Sequence, residues 1–450
     1  MLKCPLKQQK GEMETEAEGE RIGKDESKAI FEATPEAVDP DRAIIGVYRI
    51  ESDLTLREAG MELAIEESIG TWTPLSTPQE WIRKELAAKV FKWKGKHRGL
   101  VWVAFPLDLF DLETGGIPNI LSIVAGNLFG LSVLKNVRLL DLEFPKELRR
   151  VFPGPRFGID GIRSLLGTLQ NRRPHLGTII KPKVGLGPVE TAKVAYEAAL
   201  GGVDFIKDDE TLVNQAFCRL EDRVARVMDA LDRAKSETGR RVLYAPNITS
   251  SPLRILELAE RVKENGANML MVDVLTAGFP AVQALAEDSS IGLPIHIHRT
   301  MHAAMTRNPR HGIAFLPIAK LVRLAGGDQL HSGTGAGKME RRRKETKGIV
   351  EFLQGSWLGF KPVFPVASGG IHPGIVPENL KALGTEIVIN AGGGIHGHPL
   401  GTRAGAMAMR QAIDAFMASI PLDDYAQTHE ELRIALETWG RRFGSGSGGD

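Results

Sequence analysis

Between residues 177 and 393 the chain repeats one pattern eight times: a short apolar, β-prone run that ends in polar residues or glycine. The runs cover 177–183, 203–210, 242–247, 269–276, 294–299, 328–334, 363–370 and 386–393. Amphipathic helices fill most of the gaps. The clearest sets Leu220, Val224, Val227, Met228 and Leu231 on one face and stops at Gly239. The next opens on Ser251 as N-cap with Pro252 in its first turn, and ends at Gly266. Eight strand–helix units in roughly 270 residues match an α/β chain folded as a (β/α)8 TIM barrel, which takes about 250 residues. A doubly wound open sheet is the alternative. It is disfavoured because no Gly-x-Gly-x-x-Gly follows the first run and because polar residues sit at the C-terminal end of nearly every run.

Upstream the order is irregular. Residues 44–50, 100–105 and 137–144 read as strands, and 56–68 as a helix with Leu56, Leu63 and Ala64 among its apolar positions. A smaller α+β domain over 41–155 is predicted ahead of a barrel domain over 156–440. Residues 1–40, rich in Lys, Glu and Gly, read as a disordered tail, and 441–450 as a flexible Gly/Ser tail. A net charge of +1 over 450 residues offers no basic field for nucleic acid. The most apolar window, 120–134, is broken by Gly126 and Gly130 and is too short for a membrane span. Cys4 and Cys218 make no disulfide framework, so a cytoplasmic protein is expected.

In a barrel the polar run ends converge on one mouth, where such folds place their chemistry. They are Lys181 and Lys183; Lys207, Asp209 and Glu210; Asn247; His296, His298 and Arg299, with His302 just beyond; His331, followed by a loop to Lys338; Ser368, Gly369 and Gly370; and Gly392, Gly393 and Gly394. Along a strand Lys207 and Asp209 share a face and Asp208 takes the other. Each has an ordinary reading: an ion pair, a hydrogen-bonded core histidine, a glycine turn. That reading has to hold at every run end at once, which tells against it. The functional reading makes Asp209 and Glu210 a divalent-cation site, because Mg²⁺ takes oxygen ligands and often only one or two carboxylates. The glycine loops of the last two runs suit a phosphate, and Arg299 with His331 a second anion, so a doubly phosphorylated substrate follows. A cation beside a carbonyl stabilises the enediolate left when the neighbouring carbon loses a proton.

These residues resemble the large subunit of ribulose-1,5-bisphosphate carboxylase/oxygenase (Rubisco) over about residues 43–416. The resemblance rests on the stretch 201–210, on Lys181-Pro182-Lys183, on His296-Ile297-His298-Arg299-Thr300-Met301-His302, on 331–340, on Ser368-Gly369-Gly370-Ile371-His372 and on Gly392-Gly393-Gly394. In the first domain it rests on Glu66-Glu67-Ser68-Ile69-Gly70-Thr71-Trp72-Thr73 and on 122–127. It implies that Lys207, carbamylated by an activating CO₂, holds one Mg²⁺ with Asp209 and Glu210 and takes a proton from the sugar. Lys181 is implied as the late proton donor, Lys183 as a support of the metal site, and His298 as an aid to proton traffic. Arg299 and His331 are implied to bind one phosphate; Thr71, Trp72, Gly370, Gly392 and Gly393 the other. Ser368 is implied to meet a sugar hydroxyl, Lys338 to close over the gas and pair with Glu66, and Asn127 to reach the metal side.

The implied partners are ribulose-1,5-bisphosphate with CO₂ or O₂, and a second copy of the chain, because Glu66, Thr71, Trp72 and Asn127 complete the neighbour's barrel mouth. No small subunit is implied. Ile179, where the plant type usually carries Thr, and Arg341, where Gly is usual, depart from the pattern, and Thr306-Arg307-Asn308-Pro309 and Asp328-Gln329-Leu330-His331 resemble the archaeal form III branch rather than the plant type. The alternatives are a Rubisco-like enolase or isomerase of the methionine-salvage type and a non-catalytic sugar-phosphate binder. The first usually replaces the loop lysine, and Lys338 is present; the second predicts lost metal carboxylates, and Asp209 and Glu210 are intact.

Overall fold

The computed structural model describes residues 29–442 apart from 72, 74 and 338–342. The tail expected over 1–28, the last residues from 443 on, and the side chains of Trp72 and Lys338 lie outside the described residues. Residues 29–40, expected to be disordered, are instead ordered. Phe31 buries its ring in the small-domain core, and the Phe31 and Ala33 backbones bond to Val90. Tail-like average composition hides one large apolar anchor.

The small domain contains β1 (Ala43–Glu51), α1 (Leu56–Glu66), β2 (Lys89–Gly95), β3 (Arg98–Pro106), α2 (Gly116–Val124) and β4 (Asn136–Glu143). Strand β2, too charged to be read as a strand, pairs antiparallel with β3 as an edge. Helix α1 starts in a capping box, with Thr55 accepting from the Glu58 amide and Glu58 from the Thr55 amide. Its Leu56, Leu63 and Ala64 are fully buried against the sheet.

The second domain is a closed parallel barrel of β5 (His175–Ile179), β6 (Phe205–Lys207), β7 (Leu243–Ala245), β8 (Leu270–Asp273), β9 (Ile295–His298), β11 (Gln329–His331), β12 (Phe364–Ser368) and β13 (Val388–Ala391). The ring closes between β7 and β8 through the Asn247–Met271 bridge. Strand β10 (Gly312–Ile313) leaves the barrel and pairs parallel with β4, as the fifth strand of the small-domain sheet. Buried Arg138 ties this crossing by donating to the carbonyls of Thr306 and Asn308. The two domains therefore share a sheet.

Strand alternation sorts the barrel residues into two layers. Phe205, Leu243, Ala245, Met271, Phe364, Val366 and Val388 fill the lumen, with Ile159 and Ile162 of the helix Gly158–Leu166 packed among them. Ile206, Tyr244, Leu270, Val272, Ile297, Leu330 and Ile389 face outward into the larger helix-covered core. The same period turns Lys207, Asp273, His296, His298, Gln329, His331, Ser368 and Asn390 inward. Two expected helices are confirmed, Leu220–Thr238 with Gly239 as left-handed cap and Pro252–Glu264 after Ser251.

Candidate active site

The site is built on the end of β6. The strand stops at Lys207, whose side chain is fully buried and whose Nζ donates to the Asp208 carbonyl at 2.6 Å. Burial pushes the Lys207 amine below its ordinary range, against the pull of Glu210, Asp209 and Asp273. Asp209 is also buried and takes a 2.7 Å ion pair from Lys181, with Thr211 on its other oxygen at 2.9 Å. Burial raises its carboxyl, but Lys181 and Thr211 more than offset that, and it lies below the usual value. Glu210 lies 3.6 Å from Lys183 and 3.8 Å from His298 Nε2. Lys181 and Lys183 were expected on the first strand. They lie beyond it, since β5 ends at Ile179, and the turn brings them to Asp209 and Glu210, just past the end of β6.

Asp208, pointing the other way, pins this strand end from behind. Its carboxylate accepts from Arg223 (3.0 and 3.1 Å), from the Tyr244 hydroxyl at 2.7 Å and from the Asn247 amide at 3.0 Å. Both side chains of the ion pair are fully buried. Asn247 adds bonds from Nδ2 to the carbonyls of Asp209 and Glu210. The two carboxylates are thus presented by a backbone held by Arg223, Tyr244 and Asn247.

Across the lumen, His298 Nδ1 lies 3.0 Å from Asp273, and burial leaves its imidazole below the ordinary value despite that partner. His331 shares a 3.0 Å contact with His296 and a 2.8 Å contact with Ser368. Arg299 lies over the Phe315 ring, 4.7 Å to its centroid, beside the loop at Gly333; burial lowers its guanidinium to about 10. The phosphate-type loops are close-packed. A side chain on Gly392 would sit 3.0 Å from Lys181 Cε, and one on Gly337 would sit 2.3 Å from the Gly369 carbonyl. Gly369 and Gly370 both adopt positive φ, which favours glycine.

Among the described residues, no three His, Cys, Asp or Glu side chains gather as a metal cage. The donor set is two carboxylates and an amine. Hard oxygens suit Mg²⁺, and the set gains a third oxygen only if Lys207 is modified.

A family model described as "Ribulose bisphosphate carboxylase large chain, catalytic domain" matches residues 158–439, and its N-terminal-domain counterpart matches 34–148. The chain belongs to the Rubisco large-chain family. A protein of Methanocaldococcus jannaschii named ribulose bisphosphate carboxylase is 45% identical over 404 residues, covering 85% of this chain and 94% of its own. The octameric Rubisco of Pyrococcus horikoshii, solved with sulfate, superposes with a TM-score of 0.85 at 43% identity, covering 91% and 96% of the two chains. The dimeric archaeal Rubisco of Hyperthermus butylicus superposes at 0.83 with 40% identity, covering 92% and 100%. No described helix is long and apolar enough to cross a membrane.

Of the residues expected from the Rubisco resemblance, the structure gathers Lys181, Lys183, Lys207, Asp209, Glu210 and His298 into one contact group. His331 adjoins that group through an edge contact with the His298 ring, 4.6 Å between centroids, and Ser368 lies beside His331. Glu66 and Asn127 meet each other at 3.2 Å on the small domain, and no hydrogen bond or ion pair among the described residues joins them to their own barrel mouth. Sequence reasoning passed over Asp273, Arg223 and Gln329. Asp273 was findable, being the last inward residue of the fourth run. Arg223 and Gln329 carried no such signal.

Proposed function

We propose that this chain is a ribulose-1,5-bisphosphate carboxylase with an oxygenase side reaction, adding CO₂ and water to the sugar bisphosphate to give two 3-phosphoglycerates. The observation that carries the reading is the convergence of Lys181, Lys207, Asp209, Glu210 and His298 at the mouth of a barrel whose last two strands end in glycine loops. Lys207, as a carbamate, would hold Mg²⁺ with Asp209 and Glu210. The ion supplies electrostatic stabilisation of the charge that develops when a proton leaves carbon beside a carbonyl. A carbamate on Lys207 would supply the base for that proton, and His298, oriented by Asp273, carries protons at the adjacent hydroxyl. Lys181, held by Asp209 at the rim, returns a proton late in the sequence. Arg299 with His331, and Thr71, Trp72, Gly370, Gly392 and Gly393, bind the two phosphates. Ser368 meets a hydroxyl, and Lys338 closes over the gas.

The active unit is a homodimer, alone or in a larger assembly of dimers, in which Glu66, Thr71, Trp72 and Asn127 complete the neighbour's mouth. Dimeric and octameric relatives support this, as does the fact that no hydrogen bond or ion pair among the described residues ties Glu66 or Asn127 to their own barrel mouth. The test is incubation with labelled CO₂, Mg²⁺ and ribulose-1,5-bisphosphate. Labelled 3-phosphoglycerate is the expected product. Its absence, with enolisation of another phosphorylated keto sugar, would instead mark a Rubisco-like enolase.

A further inference from the structure

The small domain buries a carboxylate beside no cation. Glu67 follows the last residue of α1 and is 6% exposed. Burial lifts its pKa to about 7, helped by the like charge of Glu66, and the backbone amides of Gly126, Leu128 and Asn127 pull it back. An unpaired carboxylate is costly to bury, so a turn that gathers its amides around one is a specific arrangement. Oε2 accepts from the Gly126 amide at 3.0 Å, while Oε1 is buried with no hydrogen bond among the described residues. The turn is also tight. A side chain on Gly126 would come 2.3 Å from the Ser122 carbonyl and 2.9 Å from Glu67 Oε2. On its other flank the fully buried Tyr48 donates its hydroxyl to the Val124 carbonyl at 2.7 Å. Asn127 leaves this turn exposed, and its Nδ2 donates to Glu66 Oε1 at 3.2 Å.

We infer that Glu67 is a positioning residue for the neighbouring subunit's mouth: its carboxylate holds the 126–128 turn from inside and so fixes the direction in which Asn127, with Glu66 bound to it, leaves the small domain. The two adjacent carboxylates divide the task. Glu66 holds Asn127 by its side chain, and Glu67 holds it by the backbone. Glu67 is too buried to meet a substrate and acts only through the turn. The effect on turnover rests on the carboxylase reading and its shared mouth, whereas the hold on the turn does not.

Hydrogen exchange read by mass spectrometry on the full chain tests the hold. In Glu67→Ala the amides of 126–128 are expected to exchange about tenfold faster, with the barrel peptides unchanged. Unchanged exchange at the turn overturns the inference. The kcat of Glu67→Ala is expected to fall about a hundredfold, as for a group displaced by about 1 Å, with KM for the bisphosphate within about threefold. Glu67→Gln keeps the size of the side chain and guards against a folding defect. It turns an N–H donor toward the amides, and its kcat is expected to fall at least about tenfold. Wild-type kcat in either variant overturns the inference. Glu67→Ala mixed with Lys207→Ala should recover about a quarter of wild-type activity, because half the random dimers then have one intact mouth. No recovery there, with recovery when Asn127→Ala replaces Glu67→Ala in the mixture, overturns the inference and leaves the shared mouth standing. No recovery in either mixture removes the shared mouth and the role of Glu67 in it. A wild-type chain that makes no labelled 3-phosphoglycerate sinks the carboxylase reading, and the exchange at 126–128 still decides whether Glu67 holds the turn.

Discussion

Replacing Arg223 with methionine, which keeps the aliphatic length, isolates what the buried pair behind the active-site strand contributes. Asp208 and Arg223 are both fully buried, and Arg223 also donates to the carbonyls of Cys218 at 2.9 Å and Val213 at 2.7 Å. In Arg223→Met the Asp208 carboxylate keeps only the Tyr244 hydroxyl and the Asn247 amide, two neutral donors for a buried charge. Stranding one member of such a pair costs about 3–5 kcal/mol. The two orphaned carbonyls push the figure toward the upper end. In Arg223→Met/Asp208→Asn no charge is stranded, and the loss is expected to shrink to about 1–2 kcal/mol. The measurement is urea unfolding at fixed protein concentration, read as a midpoint shift at constant slope. A single-variant loss below about 1 kcal/mol would refute the reasoning, as would a double variant as unstable as the sum of the two singles. Because Asp208 lies between Lys207 and Asp209, the single variant should also lose activity at temperatures where it remains folded.

Three further outcomes follow from the same geometry. Lys207→Ala should abolish turnover and weaken Mg²⁺ binding by about tenfold in calorimetry; unchanged activity would remove the carbamate assignment. Mixing subunits of Lys207→Ala with those of Asn127→Ala, each inactive alone, should restore about a quarter of wild-type activity, because each random heterodimer has one intact mouth; no recovery would place both residues in one chain's site. His175 is fully buried, with its imidazole depressed by burial to about 3. Its folded pKa lies below the unfolded value of about 6.5, so its contribution is present above pH 6.5 and is lost as pH falls toward 3. Between about pH 6 and 4, His175→Phe should flatten the slope of unfolding free energy against pH by about 1.4 kcal/mol per unit. An unchanged slope would mean that the histidine is protonated inside the fold.

How much of this was legible depends on the distance over which each residue acts. Lys207 and Asp209 could be assigned to one face because strand alternation is local, and the lumen and shell layers of the barrel obey it. The mouth as a whole was legible because a (β/α)8 barrel places every run end at one rim. Lys181 and Lys183 were put on the wrong element because the apolar run continues past Ile179, where the strand already stops. Strand β10 could not be seen at all. Two residues, Gly312 and Ile313, have no periodicity, and their partner β4 lies some 170 positions earlier in another domain. Arg223 drew no reading, being one of many charged residues on its helix, and only the fold shows that it turns inward to Asp208. Gln329 and His296 are 33 positions apart and meet only because β9 and β11 are neighbours in the ring, with β10 diverted to the other domain. Side chains that carry chemistry are marked by their type and by the end of a run. Those that aim them are marked only by what stands beside them in the folded barrel, as Gln329 stands beside His296.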